Sequence, residues 1–278
     1  MRLVTPAALR VAAILAACAL VAPAQPPAAP RKRRVLAIGE VKGFQHDSVS
    51  QALATIYRMG KETGAYDTYI RTDTQLITKK KLTGNAKNLD YFDVVVFYTT
   101  GELPMDDEQK AALISFVKDD GKGFVGVHSA IDTFYKWPEY GEMVGAYFDL
   151  HPWNTFKAPI IVEDSKFPAT AHFPKEFVLY DEIYQPSSLF SRDKVRVLAR
   201  LDENKIDLAN RNVRRTDKDF AVAWIKEHGN GRVFYSTFGH TPEAWDHPGV
   251  QKMYFEAIRW AMKATNPEDV KPRPRPAQ

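Results

Sequence analysis

The chain has 278 residues, of which 45% are hydrophobic and 26% charged, and it shows no internal repeat. This length and composition are typical of a soluble globular protein with one large or two small domains, and they exclude repeat architectures. The formal net charge is +4, but nine of the 38 basic residues lie near the two ends, which leaves 29 basic against 32 acidic residues between 35 and 265. A nucleic-acid-binding domain usually concentrates basic residues on itself, so we expect no nucleic-acid partner.

The amino terminus has the pattern of a secretory signal peptide over residues 1–24. Arg2 and Arg10 precede an apolar run over residues 11–22, and Ala-Pro-Ala precedes Gln25. A basic start, an apolar stretch and small residues before the cut are the three parts of such a signal. The run is too short for a membrane span. We therefore predict an exported protein, periplasmic or extracellular.

The single cysteine, Cys18, raises an alternative cleavage. The stretch from Leu15 to Cys18 resembles the box that directs bacterial lipoprotein processing, which would leave a lipid anchor on Cys18. We favour cleavage after Ala24, because cleavage at Cys18 would leave half of the apolar run on the mature protein. Under the favoured cut the mature chain has no thiol, which excludes disulfides, a cysteine nucleophile and thiolate metal ligands.

The predicted elements begin after a Pro- and Ala-rich linker over residues 25–33. The domain, residues 34–264, opens with strands at 34–40, 66–71, 94–98 and 123–127, and with helices at about 49–63 and 107–120 between them. Such alternation predicts right-handed crossovers, a parallel sheet and helices on both faces. The last part, residues 265–278, is a Pro-rich basic tail without core-forming residues.

The second half of the domain is less regular. Apolar runs at 157–163, 195–201 and 221–226 predict strands that widen the sheet as an antiparallel extension, and the run at 231–238 predicts the last strand. Apolar residues spaced three and four apart from Val250 to Trp260 predict a closing helix. The predicted fold class is therefore α/β, with a mostly parallel sheet.

Histidines at strand ends are the main functional signal. His46, His128 and His240 each follow a different apolar strand, and His151 follows a fourth apolar segment. One such histidine alone is usually an ordinary polar residue at a strand end, but the carboxyl ends of parallel strands share one edge of the sheet. We therefore predict a divalent transition-metal site, zinc by preference, held by these four imidazoles.

Carboxylates near the same edge are the acid–base candidates, namely Glu102, Asp132 and Glu182. A carboxylate such as Asp47, Asp132 or Glu182 could also be a further ligand or support the ligands. Ser129 lies at a strand-to-helix turn, which suggests a nucleophile elbow, but a Gly-x-Ser-x-Gly pattern is missing. We prefer Ser129 as a hydrogen-bonding residue of the substrate site, with a nucleophilic serine as the minority alternative.

Tryptophans supply the remaining candidates for the substrate site. Aromatic residues are dense between Phe134 and Trp153, and they predict either core packing or a sugar-stacking surface. Trp137, Trp153 and Trp245 are the stacking candidates. No phosphate-binding loop and no Gly-x-Gly-x-x-Gly fingerprint occur, so we expect no nucleotide cofactor.

The domain resembles the ThuA-like family, named for trehalose utilisation, from Arg34 to Ala261. The resemblance lies in six motifs: 43–48 (Gly-Phe-Gln-His-Asp-Ser), 100–102 (Thr-Gly-Glu), 126–132 around Val-His-Ser-Ala, 145–152 ending in His-Pro, 181–184 (Asp-Glu-Ile-Tyr) and 239–245 ending in Ala-Trp. It implies a flavodoxin-like, class I glutamine amidotransferase-like fold. In true amidotransferases the elbow carries a cysteine, whereas here it has His128 and Ser129, which argues against glutaminase chemistry.

The family is associated with bacterial disaccharide catabolism, including routes through 3-keto sugars. The resemblance and the histidines together predict a metal-assisted enzyme that acts on a sugar, disaccharide or 3-keto-sugar derivative, as a hydrolase or an isomerase. The alternative is a non-catalytic carbohydrate-binding or scaffold protein, whose ligand surface would be the aromatics up to Trp153. A small-molecule carbohydrate is the expected partner in both cases.

Overall fold

The structure is a computed structural model that describes residues 31–84, 86–267 and 269–276. The predicted signal peptide at 1–24, the lipid-anchor alternative at Cys18 and most of the 25–33 linker lie outside these residues. The first strand begins at Arg33, so the final residue of the predicted linker already belongs to the sheet. None of the helices in the described part is long and apolar enough to cross a bilayer.

Eleven strands and five α-helices make up the described part of the chain. The strands are β1 (Arg33–Ile38), β2 (Tyr66–Arg71), β3 (Val94–Phe97), β4 (Gly123–Val127), β5 (Phe148–Leu150), β6 (Thr155–Val162), β7 (Glu176–Glu182), β8 (Gln185–Pro186), β9 (Arg196–Leu201), β10 (Ala221–His228) and β11 (Gly231–Ser236). The helices are α1 (Val49–Thr63), α2 (Asp107–Lys118), α3 (Pro138–Val144), α4 (Pro242–Asp246) and α5 (Pro248–Ala261).

Nine of the strands form one sheet in the order β2-β1-β3-β4-β11-β10-β9-β6-β7. The first five are parallel, and each of the last four runs antiparallel to its neighbours. Counted along the parallel part alone, the order is 2-1-3-4-5, which is the order of flavodoxin-like folds. The predicted α/β class, the mostly parallel sheet and the antiparallel extension are confirmed.

Two apolar cores lie on the two faces of this sheet. Side chains alternate along each strand, so Val94 and Val96 pack with α1 and α5, whereas Val95 and Phe97 pack with α2 and α3. The parallel strands β3 and β4 are buried at every residue, because helices cover both faces. Helices on both faces, as predicted, leave the carboxyl edge of the strands as the place where polar loops meet.

The antiparallel extension contains strands that the sequence did not indicate. Residues 176–182 form β7 at the outer edge of the sheet, and β5 pairs with β8 in a separate two-stranded ribbon. The pairing of β9 with β10 shifts register beside Ala223, and such irregularities bend a sheet. β7 lies four places along the sheet from β11 and nevertheless contacts the loop that follows β11.

The carboxyl-terminal tail contacts the domain. Asp269 pairs with Arg196 at 3.3 Å, and Arg275 donates to the carboxylate of Glu203. Val270 packs against the core shared with α1 and α5, although the sequence predicted a tail with no core-forming residue. Its single aliphatic side chain was too weak a signal among the surrounding prolines and charges.

Candidate metal centre

His128 occupies a strained backbone position at the end of β4. Its φ is 42°, in the left-handed region that non-glycine residues rarely adopt. The Nδ1 atom lies 2.6 Å from the carbonyl oxygen of Thr237, and a carbonyl only accepts, so Nδ1 carries the proton. The lone pair of Nε2 is therefore free to bind a ligand inside the site.

His240 and Glu182 face this Nε2 from two other elements. Nε2 of His128 lies 3.1 Å from Nδ1 of His240 and 3.6 Å from Oε2 of Glu182, and the last two atoms are 3.1 Å apart. Their positions depend on Asp181, the neighbour of Glu182 on β7, whose carboxylate accepts from the backbone amides of Gly239 and Thr241 at 2.7 and 3.1 Å. Asp181 thus joins the end of β7 to the loop that carries His240.

His46 completes the group from the loop between β1 and α1. Its ring centroid is 4.8 Å from that of His128 and 5.0 Å from that of His240, edge-on in both cases. Nε2 lies 3.2 Å from the hydroxyl of Tyr184. Nδ1 is buried and makes no hydrogen bond to any described residue. A buried nitrogen without a partner is costly, which is expected where the atom serves a ligand.

The four side chains have the spacing of a metal site. One ligand atom from each of His46, His128, Glu182 and His240 lies within 4.8 Å of the others. Ligands about 2.1 Å from a zinc ion lie about 3.4 Å apart when tetrahedral, close to the three separations above. The second nitrogen of His128 bonds a carbonyl and that of His46 a hydroxyl, as is usual for metal-ligating imidazoles. The donor set therefore fits a divalent transition ion.

Burial and mutual proximity set the charge of the group. Burial lowers the pKa of His46 to about 3, helped by His128 and His240. Burial also lowers the pKa of His128. The pKa of Glu182 falls well below its usual range, because contacts with His128 and His240 outweigh the burial that would raise it. His240 has a raised pKa, since the carboxylate of Glu182 outweighs the effect of burial. Two neutral imidazoles and a carboxylate are thus ready to coordinate at neutral pH.

The structure brings together three of the four predicted ligands. His151 stays at the rim, with 42% of its side chain exposed and its Nδ1 3.5 Å from Oε1 of Glu182. Its ring stacks on Phe148. Glu182, expected as an acid or base or as a further ligand, holds the place in the cluster that His151 was expected to take. The sequence did not favour it over His151, because residues 176–182 were not predicted as a strand that reaches this edge.

The other two predicted acid–base residues lie in different surroundings. Asp132 accepts a hydrogen bond of 2.6 Å from the hydroxyl of Tyr135. Burial raises the pKa of Asp132 and so does the charge of Glu182, whereas the hydrogen bond from Tyr135 and the charge of His151 lower it. Glu102 is exposed and accepts from the backbone amide of Lys136 at 3.1 Å. Asp132 therefore interacts electrostatically with Glu182 of the cluster, whereas Glu102 holds a surface loop.

Ser129 does not have the conformation of an elbow residue. The left-handed position at the end of β4 belongs to His128, and Ser129 follows inside a 3-10 turn. Its side chain is fully buried, and its hydroxyl makes no hydrogen bond to any described residue. The strained turn therefore directs an imidazole, not a hydroxyl, toward the crevice.

The three predicted stacking tryptophans lie in packed positions. Trp245 is fully buried and donates to the carbonyl of Gly239 at 3.0 Å. Trp137 is 7% exposed and packs in the core with Phe134 and Tyr140. Trp153 is partly buried and donates to the carbonyl of Asp207. Core packing, the alternative weighed for the aromatics after Phe134, describes Trp137 and its neighbours.

Two aromatic residues next to the centre were not among the predicted site residues. The ring of Tyr184 lies 4.1 Å from that of His128, and its hydroxyl contacts His46. Phe44 lies over the edge of His46, with ring centroids 4.9 Å apart. Both residues belong to motifs singled out above, so their position in those motifs was the available signal.

Comparison with known proteins supplies a family for this geometry. Residues 34–261 match the family model described as "ThuA: Trehalose utilisation". No curated protein matches the chain by sequence. A crystal structure of a ThuA-like protein from Bacteroides uniformis superposes with a TM-score of 0.69 at 23% identity, covering 86% of this chain and 95% of that one.

Two further structures share the fold. A ThuA-like protein from Parabacteroides merdae has a TM-score of 0.65 at 16% identity, covering 87% of this chain and 95% of its own. A cytoplasmic protein from Salmonella typhimurium has a TM-score of 0.53 at 12% identity, covering 82% and 98%. At these identities the likeness concerns the fold alone.

Proposed function

The chain belongs to the ThuA family, which implies a role in carbohydrate utilisation, and on that premise we propose that it is a metal-assisted enzyme acting on a sugar, disaccharide or 3-keto-sugar derivative. The family fold is glutamine amidotransferase-like, but the elbow carries His128 where glutaminase chemistry needs a cysteine. The observation that carries the proposal is the convergence of His46, His128, Glu182 and His240 at the carboxyl edge of the sheet.

A bound divalent ion would supply Lewis-acid polarisation of a carbonyl or hydroxyl oxygen of the substrate. The chain supplies the rest of the site. Thr237 fixes the tautomer of His128, Tyr184 orients His46, and Asp181 holds the loop of His240. A 3-keto sugar suits such a site, because a polarised carbonyl acidifies the adjacent carbon–hydrogen bond.

Asp132 is the residue best suited to move that proton. Burial raises its pKa toward the working range of a general acid or base. The hydroxyl of Tyr135 donates to the carboxylate and stabilises its charged form. His151 lies beside Glu182 with 42% of its side chain exposed to solvent. A carboxylate next to a cationic centre and an outlet to water are the elements of a proton shuttle.

Metal content is the first test. The protein is purified without chelator and analysed for zinc and other transition metals, as wild type, as His128→Ala and as His172→Ala, a histidine outside the cluster. We expect about one equivalent of metal in wild type and in His172→Ala, as a four-donor site implies, and a loss in His128→Ala. Native protein that holds no stoichiometric metal and takes none up would refute the metal assignment.

Turnover is the second test. Trehalose, 3-keto-trehalose and 3-keto-glucosides are incubated with the metal-loaded protein, and products are followed by mass spectrometry. We expect conversion by wild type and by His172→Ala, and we expect chelator to abolish it in both. His128→Ala should show no conversion. Equal rates in wild type and His128→Ala would contradict the proposed centre. Saturable sugar binding without any product, unaffected by chelator, would favour a binding protein.

Export is part of the proposal, because an amino-terminal signal pattern precedes the domain. Expression with residues 1–24 intact, followed by fractionation and mass spectrometry of the mature amino terminus, tests it. A mature chain that starts at Gln25 is expected. A chain that starts at a lipid-modified Cys18 would support the lipoprotein alternative, and an uncleaved cytoplasmic chain would contradict both.

A further inference from the structure

Phe44 is the most exposed large hydrophobic side chain among the described residues, at 65%. Burying such a side chain stabilises a protein relative to leaving it in water. Phe97 and Phe124, which lie in the sheet, are entirely buried. The exposed ring of Phe44 therefore does not contribute this stabilisation to the fold.

Phe44 lies beside the candidate metal centre. The ring of Phe44 lies edge-on to His46 with centroids 4.9 Å apart. It is nearly parallel to the ring of His240, at an interplanar angle of 17° and a centroid distance of 6.5 Å. Among the described residues, none of the three tryptophans predicted for stacking makes a ring contact with His46 or His240. Phe44 is thus an exposed aromatic surface beside two of the four donors.

The backbone around Phe44 holds the ring in this position. The amide of Lys42 donates to the carbonyl of Thr100 at 2.8 Å, and the hydroxyl of Thr100 donates to the carbonyl of Phe44 at 2.9 Å. Gly43 packs closely on Gly101, and a Cβ atom added to Gly43 would lie 3.3 Å from the backbone nitrogen of Gly101. These contacts fix the segment on both sides of Phe44, so its exposure does not come from a free loop.

Polar and aromatic groups also lie near Glu182. Tyr135 is 46% exposed and its hydroxyl donates to Asp132. His151 stacks on Phe148 and lies 3.5 Å from Glu182, with 42% of its side chain exposed. An exposed apolar ring and exposed hydrogen-bonding groups match the two kinds of surface that a pyranose presents, its carbon–hydrogen faces and its hydroxyl rim.

We propose that Phe44 is the stacking platform for the pyranose ring of the substrate. This inference rests on the proposed function and adds a residue that contacts its substrate. Equatorial hydroxyls leave both faces of a glucopyranose lined by carbon–hydrogen bonds, which pack well on an aromatic ring. An axial hydroxyl, as at C4 of galactose, places a polar group on one face only, so the opposite face can still pack on the ring.

The test measures binding directly, so that it does not depend on turnover. Metal-loaded wild type, Phe44→Ala, Phe44→Trp and Tyr57→Ala are titrated calorimetrically with trehalose, 3-keto-trehalose, methyl glucoside and methyl galactoside. Tyr57 is a matched control, because it is an exposed aromatic residue on the outer side of α1. Metal content is measured on each sample, which separates loss of stacking from damage to the centre.

We expect Phe44→Ala to weaken binding of the gluco-configured ligands by about 5–30-fold, the size typical of one aromatic contact. Metal content should stay unchanged, Phe44→Trp should retain affinity, and Tyr57→Ala should match wild type. Methyl galactoside should lose affinity as well, because the face opposite its axial hydroxyl can also stack on Phe44. Where turnover is measurable, KM should rise while kcat changes by less than about 3-fold.

Three results would overturn the proposal. These are wild-type affinity in Phe44→Ala, loss of metal in that variant, and failure of wild type to bind any sugar of the panel. Turnover with unchanged Phe44→Ala affinity would reject the platform and leave the enzyme proposal standing. Binding that depends on Phe44 without any turnover would support the platform and reject the enzyme proposal.

Discussion

Nε2 of His128 and Nδ1 of His240 lie 3.1 Å apart, although 112 residues separate them in the chain. Thr237 holds the proton of His128 on the opposite nitrogen, so a lone pair points at the gap between the two rings. Glu182 lies within 3.6 Å of one ring nitrogen and 3.1 Å of the other. An imidazole pair with a shared carboxylate is the relationship from which the following predictions start.

Tyr184 positions His46 and should control metal affinity. Tyr184→Phe keeps the ring against His128 but removes the hydroxyl 3.2 Å from Nε2 of His46. Loss of such a partner typically weakens metal binding about 10–100-fold. The measurement is zinc affinity by chelator competition. Tyr180→Phe, which removes the hydroxyl of a half-exposed tyrosine, should not change it, and an unaltered affinity in Tyr184→Phe would reject this role.

Asp132 should matter for turnover and not for metal content. Asp132→Asn keeps an oxygen to accept from Tyr135 but cannot move a proton, and loss of a general acid or base costs about 10²–10⁴ in rate. The measurement is kcat on metal-loaded protein with 3-keto-trehalose. Glu102→Gln is the control, because the exposed Glu102 holds a loop. Equal losses in the two variants would contradict a specific role for Asp132.

Gly101 should affect zinc and sugar binding, because it packs against the backbone of the loop that carries Phe44 and His46. Its φ is 78°, and an added Cβ would lie 2.7 Å from the backbone nitrogen of Gly43. Gly64 is a matched control, with a φ of 70° and nothing within 4 Å of its Cβ position. Both alanine variants should lose about 1–2 kcal/mol from left-handed strain. Only Gly101→Ala should also weaken zinc and sugar binding, because it displaces the segment that leads to His46.

Equal zinc and sugar affinities in the two glycine variants would show that the close approach of the two loops does not position the site. The comparison is informative because the backbone strain is similar in both. Unfolding in urea gives the stability of each variant, and chelator competition gives its zinc affinity.

His228 should make stability depend on pH. Burial lowers its pKa from 6.5, and the charges of Lys226 and Lys118 lower it further, against the opposing charges of Glu142 and Asp119. The unfolded chain therefore binds a proton that the folded chain does not, and stability falls as pH falls below 6.5. Above the unfolded pKa both states are neutral, so the effect vanishes.

The variant for this prediction is His228→Gln. Urea unfolding at about pH 7.5 and about pH 5.5 should show a smaller loss of stability in the variant than in wild type, since the other titrating groups are common to both. A variant that loses the same amount as wild type would disprove the contribution of His228.

Trp224 should be among the largest single contributors to stability. It is fully buried, packs on Tyr235 with ring centroids 4.3 Å apart, and donates to the carbonyl of Val144 at 2.8 Å. Trp224→Phe leaves that carbonyl unpaired and a cavity beside it, at about 2–4 kcal/mol. Trp153→Phe, at a partly exposed indole, should cost about 1 kcal/mol or less. Comparable denaturant midpoints for the two variants would refute this difference.

Much of the fold could be predicted because its signals are local. Continuous apolar runs such as 94–98 and 123–127 indicated strands buried on both faces, and alternation with helices indicated a parallel sheet. The strand β7 was missed because residues 176–182 mix charged and aromatic side chains, and its outer-edge position leaves Val178 and Tyr180 exposed. A half-exposed edge strand lacks the continuous apolar pattern of a central one.

The candidate site could be predicted in part for the same reason. The histidines after strands were visible in the chain, and His46, His128 and His240 do converge. The choice of Glu182 over His151 could not be predicted, because it depends on the contact between the end of β7 and the loop that follows β11. Local pattern also could not separate buried tryptophans from the exposed Phe44, since exposure is a property of the packed surface.

The sequence alone determined the α/β class, the carboxyl edge as the place of the candidate site, and three of the four residues that cluster there, because side-chain periodicity and strand order are local properties of the chain. Only the tertiary structure decided that Glu182 joins this cluster, that His128 takes the strained turn, and that Phe44 is exposed beside His46. The physical reason is that contacts between residues far apart in sequence, such as that of Asp181 with Gly239, exist only in the folded chain.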